Sequence, residues 1–276
     1  MIQETIDLYN HNGLQNNLPN GGKLHVYCRS FSQEMSNKLR PAVLIFPGGG
    51  YEFLSDRENE PVALEFVRAG YCAFVLNCSV HTPYPAPLNQ ALMAVGYIKQ
   101  NATKYGIDAN KIVAIGFSAG GHLAGLLATA TRQEVDAVPN GAKPNAVVLS
   151  YPVVTMGAFT HQGSKNVITD NGKINPDTLS VENRVDANSV PAFVWHTFED
   201  DCVPVENSLL LVSAYRKANV PFALHVFEKG CHGMSICNGE VNAQLPIDVK
   251  YNHVGKWFNL ALDWLNSRGF ALKTIL

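Results

Sequence analysis

The stretch VAIGFSAGGHLAGLLATA, residues Val113 to Ala130, reads in two halves. Val113 to Phe117 is a run of β-formers, and the residues after Ser118 are small or leucine, as in a tightly packed helix. One serine stands between two glycines where the strand becomes the helix. A turn that sharp projects the Ser118 hydroxyl out of the chain and onto a helix N-terminus, and it holds the serine backbone in a strained region that costs about 1–3 kcal/mol. Gly116 and Gly120 supply the clearance, because a side chain at either place would strike the adjoining strand or helix. The amide of Ala119 is left free at the start of the helix and faces the same space as the hydroxyl. Ser118 is therefore the candidate nucleophile, with an oxyanion donor beside it.

Working outward, short apolar runs alternate with amphipathic stretches. KLHVYCRS, PAVLIF, YCAFVLNCSV, KIVAIGFS, NAVVLSYPVV, PAFVWHT and FALHVFEKG read as strands. ENEPVALEFVRAG, LNQALMAVGYIKQNATKYG, AGGHLAGLLATA, VENSLLLVSAYRKANV and GKWFNLALDWLNSRG read as helices, the first ending at Gly70 as a C-cap. Strands apolar on both faces and interleaved with helices predict an α/β fold with a mostly parallel central sheet covered by helices on both sides. KLHVYCRS is expected to join an antiparallel edge. Residues 156–188 are too long for an ordinary connection and predict a small insertion near the carboxyl edge of the sheet, a lid or rim over a pocket. The whole of 1–276 reads as one domain.

A serine needs a base, and the base needs an orienting acid. Nine histidines compete. His25 and His225 sit within strand-like runs, and His122 follows the serine on the helix and points away from it, as a packing or hydrogen-bonding residue. His81, in a proline-rich loop, is a candidate pocket residue. His232, in HVFEKGCHGMS, follows a strand and stands between glycines, the right kind of place for the base. The acid falls within Glu199, Asp200 and Asp201, after the strand PAFVWHT. FPGGGYEF supplies a glycine loop whose N–H groups can face a substrate. No Lys-Ser or Lys-Thr follows it, so it is not a phosphate loop of the Walker type.

Together these segments resemble the α/β-hydrolase superfamily, and within it the esterase/lipase branch of acetyl-xylan-esterase-like and feruloyl-esterase-like proteins. The resemblance covers nearly the whole chain. It rests on FPGGGYEFLSDRENEPVALEFVRAGYCAFVLNCSV, KIVAIGFSAGGHLAG, HTFEDDCVPVENS and CHGMS. It implies an α/β-hydrolase fold, Ser118 as nucleophile and His232 as general base and acid. The His-x-x-x-Asp-x-x-Val-Pro pattern of the family falls on His196, Asp200, Val203 and Pro204, which selects Asp200 over Asp201. The amides of Gly49, Gly50 and Ala119 would form the oxyanion hole. Many relatives carry a histidine before the glycines; here Pro47 stands there, as in the acetyl-esterase-like branch, and what holds the loop is left open. Arg57 and Glu58 are expected to form a structural ion pair. The implied activity is that of a serine carboxylesterase acting on small soluble esters, with acetyl esters of sugars the analogy's substrate. An amide hydrolase on the same triad, and a catalytically silent binding module, are the alternatives.

The bulk numbers fit this reading. Of 276 residues, 46% are hydrophobic and only 16% charged, with net charge −2, so no electrostatic footprint for nucleic acid or an anionic membrane exists. No apolar run is long enough to span a bilayer, and the first residues carry no apolar core of a signal peptide, which predicts a cytoplasmic protein. The six cysteines are scattered without a CxxC pair, read as reduced thiols rather than a metal site. No cofactor or metal is expected; the partner is a small-molecule ester, and the sequence gives no oligomeric state. Tyr51, Tyr84 and Tyr151, with Pro152, are the candidate pocket residues.

Overall fold

The valine-, isoleucine- and leucine-rich runs become the centre of an eight-stranded sheet in the computed structural model, which describes residues 1–18, 21–32, 34, 39–241 and 253–270. The strands are β1 (Ile2–Asp7), β2 (Lys23–Cys28), β3 (Arg40–Phe46), β4 (Cys72–Asn77), β5 (Ile107–Phe117), β6 (Ala146–Ser150), β7 (Ala192–Thr197) and β8 (Phe222–Phe227). Their order across the sheet is β1-β2-β4-β3-β5-β6-β7-β8. β2 runs antiparallel to both neighbours, and from β4 to β8 every pairing is parallel.

The period of two along each strand divides the core. Leu44, Ala114, Leu149 and Val194 pack on one face with helices α2 (Ala86–Gln100), α3 (Ala119–Ala128) and α5 (Glu206–Lys217). Val43, Ile115, Val148 and Trp195 pack on the other with α1 (Glu60–Arg68) and α6 (Trp257–Ser267). Both faces being covered explains why the central strands read as unbroken apolar runs. β3 leads into α1 on one face, while its neighbour β5 leads into α3 on the opposite face. A crevice opens between such divergent connections at the carboxyl ends of the strands.

Two elements differ from the sequence reading. IQETID forms the true edge strand β1, outside KLHVYCRS; with a partner on one side only, it stays half-buried and polar, so no apolar run marks it. The long helix expected up to Gly106 breaks at Asn101, whose side-chain amide donates to the Tyr97 carbonyl, and resumes as a short turn, Ala102–Tyr105, closed by Gly106 in the left-handed region at φ 65°. Residues 156–188 leave the carboxyl end of the sheet after β6 and include α4 (Gln162–Ile168). Ile168, Leu179 and Val181 of this segment are buried in the α3 side of the core. Arg184 clasps both oxygens of Glu134 at 2.8 Å, tying the segment to the body.

Candidate active site

Ser118 occupies the turn between β5 and α3 with φ 54° and ψ −119°, a conformation a non-glycine residue adopts only under constraint. The constraint is close packing. A Cβ on Gly116 would lie 2.0 Å from the Gly120 carbonyl oxygen, and one on Gly120 would lie 2.1 Å from that of Phe46. The strand and helix therefore approach as only glycines permit.

Three loops bring the other groups to this point. Asp200 follows β7 and His232 follows β8. Asp200 Oδ2 lies 2.7 Å from His232 Nδ1, and His232 Nε2 lies 2.8 Å from Ser118 Oγ. The carboxylate can only accept, so Nδ1 carries the proton and Nε2 of the neutral ring accepts from the serine hydroxyl. Burial works against ionisation of Asp200, but the His196 ring 3.4 Å away, the hydrogen bond from His232 and the backbone amide of Val203 outweigh it. The carboxyl is held well below the usual carboxylate range. His196 is buried and donates Nε2–H to the Val203 carbonyl, bracing the loop from the strand side. Asp201 is exposed to solvent.

The glycine loop after β3 completes the site. The Gly48 carbonyl accepts the amide of Ser55, and the Gly49 carbonyl accepts those of Glu52 and Phe53. In a trans peptide the N–H points opposite to the C=O. The amides of Gly49 and Gly50 are therefore turned out of the loop, and both residues line the cavity that Ser118 and His232 also line. Ala119 opens α3, so its amide has no acceptor within the helix. Gly49 at φ 123° and Gly50 at φ 67° need the freedom of glycine for this turn. The cavity holds about 270 Å³, and Glu52, Phe53, Arg57 and His161 contribute to its wall.

The structure relocates several residues. None of the three tyrosines proposed for the pocket lines it. Tyr51 is buried and donates to Nδ1 of His122, whose Nε2–H donates to the Leu179 carbonyl. Burial brings the His122 imidazole down to about 4, so it stays neutral and structural. Tyr84 donates to Glu134, and Tyr151 to Glu58. His81 is likewise absent from the wall; its backbone amide donates to the Tyr51 carbonyl. The expected Arg57–Glu58 ion pair does not form among the described residues: Glu58 is buried against Gly48 and Tyr151, while Arg57 is exposed at the cavity. His161, on the 156–188 segment, lines the cavity although no strand precedes it in sequence. Its Nδ1 accepts the amide of Ser164, so the neutral ring carries its proton on Nε2. Only the length of the insertion hinted that some residue of that segment would reach the pocket.

Comparison with known proteins agrees with the architecture. The BD-FAE family model matches residues 30–215, a range that includes Ser118, Asp200 and the glycine loop but stops short of His232. The chain is 39% identical over 212 residues to the endo-1,4-β-xylanase B of Butyrivibrio fibrisolvens, covering 73% of this chain and 33% of that one. It is 30% identical over 268 residues to an acetylxylan esterase of Xylanibacter ruminicola, covering 94% of this chain and 50% of that one. The chain thus spans a third to a half of the length of these two relatives. Among solved structures, the acetyl ester-xyloside bifunctional hydrolase of Caldicellulosiruptor lactoaceticus superposes with a TM-score of 0.80 at 36% identity, over 97% of each chain. A carboxylesterase from Lactobacillus plantarum superposes with a TM-score of 0.84 at 28% identity, over 99% of each.

Proposed function

The chain belongs to the BD-FAE family of esterase-type α/β-hydrolases, and from that premise we propose that it is a serine carboxylesterase working through an acyl-enzyme on small esters. The observation that carries this reading is the unbroken hydrogen-bond chain Asp200–His232–Ser118, ending beside outward-facing amides. Ser118 attacks the ester carbonyl while Nε2 of His232 takes its proton. Asp200 keeps the imidazole in the tautomer that can do so and stabilises the imidazolium. The amides of Gly49, Gly50 and Ala119 stabilise the tetrahedral oxyanion, each donor contributing about 2.7–4 kcal/mol. His232 then protonates the departing alcohol, and water repeats the sequence on the acyl-serine. Acetyl esters of sugars are the proposed substrates. They are supported by what the acetylxylan esterase and the acetyl ester-xyloside hydrolase are named for. The test is Ser118→Ala assayed on nitrophenyl acetate and on acetylated xylo-oligosaccharides, beside fluorophosphonate labelling of the wild type. A loss of about 10⁴-fold or more in kcat is expected, with labelling abolished in the variant. Turnover near the wild-type level would overturn the assignment.

A further inference from the structure

One buried ionisable group near the site has no part in the chemistry just described. Glu58, on the turn Asp56–Glu58, is 2% exposed. Its Oε2 accepts the amide of Gly48 at 2.7 Å, and its Oε1 accepts the hydroxyl of Tyr151 at 2.6 Å. The direction of the second bond follows from Tyr151's other partner. The tyrosine oxygen already accepts the amide of Ser235 at 2.9 Å, so its own proton is given to Glu58. Ser235 lies three residues beyond His232. It is fully buried, holds a left-handed φ of 50°, donates its hydroxyl to the Arg57 carbonyl at 2.5 Å and accepts Trp257 Nε1–H at 2.8 Å. The Tyr151 ring meets the His232 imidazole edge to face, with centroids 5.1 Å apart. A single carboxylate therefore joins the loop after β3, which presents the oxyanion amides, to the loop after β8, which carries the imidazole. Tyr151, just past the end of β6, is the bridge.

We propose that Glu58 is a positioning residue of the hydrolytic reaction. Through Gly48 it fixes the peptide planes of Gly49 and Gly50, and through Tyr151 and Ser235 it fixes His232 against Ser118. The inference rests on the esterase reading above. It also answers what holds a glycine loop that lacks the histidine seen before it in many relatives. Pro47 has no N–H to anchor, and the first amide available, that of Gly48, is the one Glu58 binds.

Glu58 faces Arg57 on its own turn, Tyr151 from the loop after β6 and His232 from the loop after β8. Beyond the imidazole lie Asp200 on its far side and His161 across the cavity. Burial raises the Glu58 carboxyl above the usual carboxylate range, and the donors Tyr151 and Gly48, with His232 and Arg57, only partly offset it.

The experiment compares Glu58→Gln, Tyr151→Phe and the double variant with the wild type. The measurements are kcat and KM on nitrophenyl acetate, with rates corrected by fluorophosphonate titration of active sites. Glu58→Gln keeps the volume and removes the charge. It is expected to lose about 10–100-fold in kcat, the scale of a displacement near 1 Å, with KM within about threefold. Tyr151→Phe breaks the same bridge and lowers kcat by a smaller factor, and the double variant loses no more than Glu58→Gln alone. Wild-type kcat per titrated site in Glu58→Gln would overturn the proposal. So would losses that multiply in the double variant. Should Glu58→Gln fail to fold, wild-type kcat in Tyr151→Phe would overturn it as well. An active Ser118→Ala would remove the esterase reading itself, whereas a silent Ser118→Ala beside an unaltered Glu58→Gln removes only this inference.

Discussion

At the scale of the residue, the site depends on which atoms hold protons. Asp200 is acceptor to His232 and to the backbone amides of Cys202 and Val203, with its side chain wholly buried. These donors stabilise the carboxylate, so its folded-state pKa lies below the unfolded value near 4. A depressed carboxyl contributes stability that is fully present above the unfolded pKa and is lost as pH falls toward the folded one. Thermal melting from pH 7 to pH 2.5 is therefore expected to show wild-type stability declining below about pH 4, with a shallower decline in Asp200→Asn. Equal slopes for the two proteins would contradict the assigned hydrogen bonding. The same substitution is expected to lower kcat by about 10⁴-fold by favouring the wrong imidazole tautomer. The sequence showed three adjacent acids, and only the coordinates show Asp200 turned inward and Asp201 turned to solvent.

At the scale of the element, the turn from β5 to α3 works because backbone meets backbone. Gly120 is packed against the Phe46 carbonyl, so the first turn of α3 lies directly on the end of β3. An added methyl has no flexible side chain to displace. Gly120→Ala is expected to destabilise by about 3 kcal/mol or more, the upper end for overpacking, measured by urea unfolding. Gly239→Ala is the control: it is exposed, has no heavy atom within 4 Å of the added Cβ, and is expected to stay within about 0.5 kcal/mol of wild type. Comparable losses in both would mean that the close approach does not govern the turn. At this scale the sequence was most legible. Periodicity and glycine placement gave the central strands and flanking helices, because both faces of the sheet are buried and each strand had to be apolar throughout. β1 carries no apolar run because an edge strand lacks that requirement.

At the scale of the whole molecule, the sheet order sets the size and character of the pocket. The cavity lies where connections from β3 and β5 diverge, and the 156–188 segment closes one side with His161. Its volume of about 270 Å³ falls just below the range that holds drug-sized ligands. Across acetyl, butyryl and octanoyl nitrophenyl esters, kcat/KM is expected to fall by at least about tenfold from first to last, as the proposed preference for acetyl esters requires. A maximum at octanoyl would contradict the acetyl-ester proposal. The sequence by itself determined the alternation of strands and helices, the strained serine between obligatory glycines and the candidate histidine after the last strand. Each of these is written in local chemistry: periodicity, backbone clearance and residue type. Only the tertiary structure decided that Glu58 is bound to Gly48 and Tyr151 instead of Arg57, that three tyrosines turn away from the pocket, and that His161 enters it. Those outcomes depend on which distant segments the sheet order brings within hydrogen-bond distance, and no spacing along the chain encodes that distance.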